Sequence, residues 1–229
     1  MKLKTIVVVG ASRGIGKATV EILAQNSGHR ILALSRNVER MQEVFAGMNN
    51  VECHSLDLNS DNVRKDCSDI FSKLNTIDVL INNAGHLVNK PFPELTRQDL
   101  EDSYSINVLS VMETVQAAIE KMTAGHIVNI SSIGGFQGSV KFPGLTAYST
   151  SKAALCSFTE LFAEEYKDSE LKMNCLALGA AQTEMLEEAF PGYEAPVSAE
   201  KMAEYIANFA LTGHEWINGK IIPVSLSTP

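Results

Sequence analysis

The 229-residue chain is 45% hydrophobic and 20% charged, the composition of an ordinary globular protein, which excludes a disordered one. A chain of this length buries roughly 70% of the surface its unfolded form exposes, so it needs no stabilising staples. Its 19 basic and 27 acidic side chains give a net charge of −8, and no local basic patch offsets it. Such a surface repels phosphate backbones and anionic lipid, so neither nucleic acid nor membrane is an expected partner.

The chain begins Met1-Lys2-Leu3-Lys4, and the apolar run that follows to Val9 imitates a signal peptide. That run is short and ends in Gly10-Ala11-Ser12-Arg13-Gly14, with a charge inside it. No stretch approaches the roughly 18 apolar residues of a membrane helix. The cysteines, Cys53, Cys67, Cys156 and Cys175, form no C-x-x-C pair and lack the close spacing of zinc ligands, so no metal site is expected. They read as reduced, mostly buried thiols, and the protein as cytoplasmic.

Short β-branched runs alternate with helical patterns along the chain. Residues 3–9 predict a strand, and 14–25 a helix from apolar Ile15, Ala18, Ile22 and Leu23. A strand at 30–34 and a helix at 38–45 follow. Strands at 51–56 and 77–81 flank a helix carrying Val63, Cys67, Ile70, Phe71 and Leu74. A long helix is expected over 97–122, a strand over 126–130, a second long helix over 147–166 and a strand over 171–178. A helix at 200–211 and a strand at 220–224 close the chain. Seven strands in strict alternation with helices predict an α/β fold: right-handed βαβ units forming a seven-stranded parallel sheet covered by helices on both faces. No linker or repeat divides residues 1–229, so one domain is expected. Ligands bind such sheets outside the carboxyl ends of the strands.

The first strand ends in Gly10-Ala11-Ser12-Arg13-Gly14-Ile15-Gly16 and runs directly into a helix. Glycines there allow a tight turn and close backbone approach to a pyrophosphate at the helix N-terminus. A plain tight connection is the simpler alternative, made less favoured by the position on the first strand of an alternating chain. An NAD site places a carboxylate on the ribose about 20 residues further on. Here the second strand ends in Leu34-Ser35-Arg36, without an acid. Arg13 and Arg36 together offer planar forks of donors to a 2′-phosphate, which favours NADP(H) over two solvated loop charges.

Asp57 follows the third strand, where it, Asn59 or Ser60 could cap the next helix. Asn82-Asn83-Ala84-Gly85 closes the fourth strand, with small residues that let a ligand pass. Tyr148 and Lys152, at i and i+4, share one helix face. An ammonium there would lower the phenol pKa and let the tyrosine exchange a proton with a carbonyl or alcohol oxygen. Ser132 adds a hydroxyl able to hold the same oxygen. Asn107 lies within the long helix, where asparagine is a poor former, and either a buried polar role or an exposed position would account for it.

In this order and at these strand ends, the motifs resemble those of the short-chain dehydrogenase/reductase family over nearly the whole chain, from Val7 to Val224. The resemblance implies a single doubly wound, Rossmann-type domain and an oxidoreductase interconverting a small-molecule carbonyl and alcohol with a Ser-Tyr-Lys-Asn site. Tyr148 would be the general acid/base, Ser132 would orient the carbonyl, and Lys152 would hold the ribose hydroxyls and favour the phenolate. Asn107 would position a water that links Lys152 to solvent. For the cofactor, the resemblance implies contacts from Gly10, Ser12, Arg13, Gly14, Ile15, Gly16, Ser35 and Arg36. Asp57 and Leu58 would meet the adenine, Asn83, Ala84 and Gly85 the ribose, and Thr183 the nicotinamide carboxamide, alongside Tyr148 and Lys152.

Three departures stand out. Leu178 and Ala181 replace the usual proline and branched residue before Thr183. The substrate lid, about 184–199, is short, which implies an open site or a loosely held substrate. The segment 134–147 is longer than usual, and its Phe136, Val140, Phe142 and Leu145 predict an apolar substrate wall. Alternatives are a 3-oxoacyl-carrier-protein reductase, disfavoured by the acidic charge balance, and a non-catalytic NADP(H)-binding regulator. The two long helices imply a homodimer or homotetramer, with Val108, Val111, Met112, Val115, Ala118, Leu155, Phe158, Leu161 and Phe162 as candidate contacts.

Overall fold

In the computed structural model, which describes residues 3–25 and 28–226, seven parallel strands form one sheet in the order β3-β2-β1-β4-β5-β6-β7. Met1 and Lys2 of the signal-like start lie outside the described residues. The strands are β1 (Lys4–Val9), β2 (His29–Ser35), β3 (Val51–Ser55), β4 (Val79–Asn82), β5 (Ala124–Ser132), β6 (Glu170–Leu178) and β7 (Ile221–Val224). The helices are α1 (Gly14–Gln25), α2 (Val38–Val44), α3 (Val63–Phe71), α4 (Arg97–Tyr104), α5 (Ser110–Ile119), α6 (Thr146–Glu165), α7 (Glu184–Ala189) and α8 (Ala199–Thr212).

Burial on both faces explains the unbroken apolar strands. Successive side chains point to opposite sides, so Val7 and Val9 pack with Phe71, Val111, Val115 and Leu155 on one face. Ile6 and Val8 pack with Val20, Leu23, Met41 and Ile206 on the other. Each such side chain contributes roughly 1.5–3 kcal/mol when withdrawn from water. A polar ladder also crosses the sheet: Asn82 donates to Asn129 at 2.9 Å, and Asn129 donates to Thr159 at 3.0 Å.

Chain order reverses around β1, which pairs with β2 on one side and β4 on the other. The crevice at this switch point opens beyond Val9, Leu34 and Asn82, where the glycine loop lies.

The helix expected over 97–122 is interrupted. A π-turn, Ser105–Leu109, separates α4 from α5, and Asn107 sits at its centre. The wider turn accommodates an extra residue and re-aims side chains within an otherwise helical rod. Neither Asp57, Asn59 nor Ser60 caps α3, whose first flanking residue is Asn62. Asp57 instead accepts the Asn59 N–H at 3.0 Å in a local turn. Of the candidate subunit contacts, Val108, Val111, Val115, Ala118, Leu155 and Phe162 are buried within the chain, whereas Leu161 is 67% exposed.

Candidate active site

The glycine loop is fixed from both sides. Gly10 adopts φ +84°, a conformation that favours glycine, and a Cβ there would lie 2.6 Å from the Ala84 backbone. A Cβ at Gly16 would overlap the Gly10 carbonyl and the Asn83 side chain. Asn83 Nδ2 donates to the Gly10 carbonyl at 3.0 Å, tying the loop to the end of β4. Gly10, Ser12, Arg13, Gly14 and Ile15 line one cavity of about 620 Å³, together with Ser35, Arg36, Asp57 and Leu58. Asn83, Ala84, Gly85, Ser132, Tyr148, Lys152 and Thr183 line the same cavity. Gly16 and Asn107 lie behind this wall.

Tyr148 is carried near the start of α6, opposite the last residue of β5. Its phenol bonds to the Ser132 hydroxyl, which also accepts the Gly134 N–H at 3.2 Å. Lys152, one turn further along α6, is buried and donates from Nζ to the Ile130 carbonyl at 2.8 Å. Its Nζ stands 5.9 Å from the centre of the Tyr148 ring.

The expected lowering of the tyrosine pKa does not occur. Burial raises the Tyr148 phenol above its ordinary value, and the Ser132 hydrogen bond only partly offsets this. Lys152 directs its ammonium at the Ile130 carbonyl instead of the phenol oxygen. Burial lowers the lysine itself to about 8, so at neutral pH most of it remains charged.

Asn107 is buried, and its polar atoms are engaged by protein. Oδ1 accepts the His86 N–H at 2.8 Å, while Nδ2 donates to the His86 carbonyl and the Ser151 hydroxyl, each at 2.9 Å. This fixes the backbone beyond Gly85 against Lys152: a Cβ at Gly85 would lie 3.5 Å from Lys152 Nζ and 3.6 Å from Asn107 Oδ1. The contributions of Ser151 and the His86 backbone have no sequence signal beyond lying near Lys152 and the Asn-Asn-Ala-Gly turn.

Around the mouth, the structure departs further from expectation. Arg36 is exposed and makes no ion pair among the described residues, but Arg13 is engaged. Both its terminal nitrogens bond Glu188 of α7, Nη2 to Oε2 at 3.1 Å. Arg40 meets Glu184 at 3.6 Å. Thr183 caps α7 by accepting the Leu186 N–H at 3.2 Å, and its methyl packs on Gly14. The short lid is therefore tied down at its start, and a parallel bridge between Gln182 and Ser198 closes its base. Of the expected apolar wall, Phe142 and Leu145 line the cavity, whereas Val140 is 58% exposed.

A family model described as short chain dehydrogenase matches residues 4–194. The chain belongs to the short-chain dehydrogenase family. Among its relatives is a 3-oxoacyl-[acyl-carrier-protein] reductase of Aquifex aeolicus, 30% identical, with 97% of this chain and 96% of that protein covered. Carbonyl reductase family member 4 of Danio rerio is 37% identical over 78% of this chain and 76% of its own length. The crystal structure of a short chain dehydrogenase from Salmonella enterica serovar Typhi superimposes with a TM-score of 0.86 at 26% identity, covering 97% of this chain and 96% of that one.

Short-chain dehydrogenases are oxidoreductases that use NAD or NADP and act on small molecules, usually as oligomers. The cavity fits such a dinucleotide. Cβ atoms at Gly10 or Gly16 would collide with the Ala84 and Gly10 backbone, so the glycines hold the loop close to β4, and the N-terminus of α1, at Gly14 and Ile15, faces the cavity with donors suited to a pyrophosphate. Among the described residues, no helix is long and apolar enough to cross a membrane.

Proposed function

We propose that this short-chain dehydrogenase is an NADP(H)-dependent reductase that interconverts a small-molecule carbonyl and alcohol. The observation that carries this reading is the Tyr148 phenol bonded to Ser132 on the cavity wall, with Lys152 behind it. The cofactor, when bound, supplies or accepts the hydride. Ser132 Oγ and the Tyr148 phenol then hold the substrate oxygen between two donors. Because burial keeps the Tyr148 proton in place, the tyrosine enters reduction as the acid and delivers its proton to that oxygen. The buried Lys152 ammonium stabilises the negative charge left on the phenol, and Asn107 keeps Gly85 and His86 at the correct distance from it. Proton resupply runs past Lys152, with a water held on the remaining lone pair of Asn107 Oδ1.

In this reading the loop residues Gly10, Ser12, Gly14, Ile15 and Gly16 take the pyrophosphate side of the cofactor. Ser35 and Arg36 take the adenosine ribose, with Arg36 and Arg13 as the 2′-phosphate ligands. Asp57 and Leu58 meet the adenine, Asn83, Ala84 and Gly85 the ribose, and Thr183 the carboxamide. NADP is preferred over NAD because β2 ends without an acid and two guanidinium groups line that end of the cavity. We further take residues 1–229 as one nucleotide-binding domain with a short lid at 184–199, working in the cytoplasm as a homodimer or homotetramer.

A 3-oxoacyl-carrier-protein reductase is the second reading, favoured by the Aquifex relative that matches almost end to end. The net charge of −8 counts against docking an acidic carrier. Titrating the purified protein with NADPH and NADH, followed by nicotinamide fluorescence, tests the cofactor assignment. Tight NADPH and weak NADH binding is expected, and a preference for NADH overturns it. Turnover on 3-oxoacyl thioesters against simple ketones then separates the two substrate readings.

A further inference from the structure

We propose that Glu188 is a cofactor-selectivity residue: it competes with the 2′-phosphate of NADP(H) for the guanidinium of Arg13. The inference rests on the NADP(H) reading above and assigns a role to a residue that reading does not use.

Arg13 is the fourth residue of the glycine loop, and α7 lies above that loop. Both terminal guanidinium nitrogens of Arg13 face the two oxygens of the Glu188 carboxylate, one to each. This two-pronged geometry is the one an arginine presents to a phosphate, so a carboxylate and a phosphate cannot both hold those two donors. The pairing holds the Glu188 carboxyl below its ordinary range and raises Arg13 further, so both are fully charged at neutral pH.

The neighbourhood adds to the competition. Glu184, one turn earlier on α7, also acts on the Arg13 charge, and its Oε2 would lie 3.5 Å from a Cβ at Gly14. Arg40 is the cation that Glu184 faces, at 3.6 Å. Arg36 has no such partner among the described residues, so the two arginines expected to share the 2′-phosphate are not equally available. One is open; the other is held by the lid.

NADH carries no 2′-phosphate and does not need Arg13 released, so removing Glu188 separates the two cofactors. The pair is partly exposed, with side chains 38% and 62% accessible, which keeps the effect moderate.

The test is a fluorescence titration of NADPH and NADH against four proteins: wild type, Glu188→Gln, Glu187→Gln and Glu188→Gln in an Arg13→Ala background. Glu187 sits one residue earlier on α7 and accepts the Gly192 N–H, so its variant reports the general effect of removing one negative charge. Glu188→Gln should tighten NADPH about two- to fivefold beyond Glu187→Gln, with NADH moved no more than by Glu187→Gln. That gain should vanish when Arg13 is absent. Equal effects of the two glutamine variants on NADPH, an equal gain for NADH, or a gain that survives Arg13→Ala would each overturn the proposal.

The wild-type NADPH/NADH ratio tests the NADP(H) reading separately. A wild type that prefers NADH, combined with a Glu188→Gln gain confined to NADPH, would overturn that reading and still support the role of Glu188.

Discussion

Asn107 grips the backbone of His86 from both sides, accepting its N–H at 2.8 Å and donating to its carbonyl at 2.9 Å. The contact joins the centre of the π-turn to the segment that leaves β4, and its effect falls on Lys152 through Gly85. An alanine at 107 leaves the His86 N–H and carbonyl without these partners in a half-buried place. Asn107→Ala should therefore lower stability by about 1–3 kcal/mol in urea unfolding. It should also reduce kcat more than it raises KM, because the lysine loses its backing while the substrate groups remain. A variant with wild-type unfolding and kinetics would show that the grip is dispensable.

The glycine loop makes a sharper prediction. A methyl group at residue 16 overlaps the Gly10 carbonyl and the Asn83 amide, which together fix the loop. Gly16→Ala should abolish detectable NADPH binding in the fluorescence titration and lower the melting temperature, because backbone and not a flexible side chain must move. Unchanged NADPH affinity would mean that the loop does not cradle the cofactor.

Acid should destabilise the fold through His126. Its ring is buried, with Nδ1 3.0 Å from the Ala210 carbonyl and Nε2 3.0 Å from Asn174 Nδ2. Only the neutral tautomer with the proton on Nδ1 satisfies both partners, since Asn174 Nδ2 also presents a proton. Burial lowers this histidine to about 4, against about 6.5 in an unfolded chain. The folded pKa is the lower one, so the stability from neutral His126 is complete above about 6.5 and lost as pH falls towards 4. Unfolding free energy should drop by about 2 kcal/mol between pH 7 and pH 5 from this residue. Buried His29 and the half-buried His214 are shifted in the same direction by burial and add to the loss. A His126→Asn variant should show a shallower pH dependence. An equal slope in both proteins would remove His126 from the explanation.

The sheet order and most elements were legible because burial on both faces leaves a strong mark: unbroken β-branched strands such as Ile6–Val9 between amphipathic helices. That most motif residues meet at one cavity was legible for a related reason, since they follow strand ends that converge on the same crevice. Three features were not. The π-turn at 105–109 leaves helical periodicity intact on either side, so its only trace was the unfavourable Asn107. The six-residue α7 is too short and too acidic to show a period, and its hold on Arg13 spans 175 positions. The raised tyrosine pKa leaves no mark in the sequence, because i and i+4 spacing fixes a shared face but not where the lysine points. Lys152 turns to Ile130, and desolvation of the phenol prevails.

The pH profile of turnover follows from the same two residues. With Tyr148 raised and Lys152 lowered to about 8, reduction should hold its rate at neutral pH and decline as pH rises through about 8, where the ammonium loses its proton. Lys152→Arg keeps the charge through that range, so any remaining activity should not decline there. A wild-type rate that rises steadily from pH 7 to pH 10 would contradict these roles.

The proposed role of Tyr148 is to hand the proton to a carbonyl oxygen. The most direct measurement compares wild type and Tyr148→Phe for NADPH oxidation against a panel of ketones, aldehydes and 3-oxoacyl thioesters, with NADPH affinity followed in parallel. Wild type should turn over at least one carbonyl, and Tyr148→Phe should lose at least about 100-fold in kcat while NADPH binds within about twofold of wild type. Turnover at the wild-type rate in Tyr148→Phe, with the cofactor bound, would contradict that role.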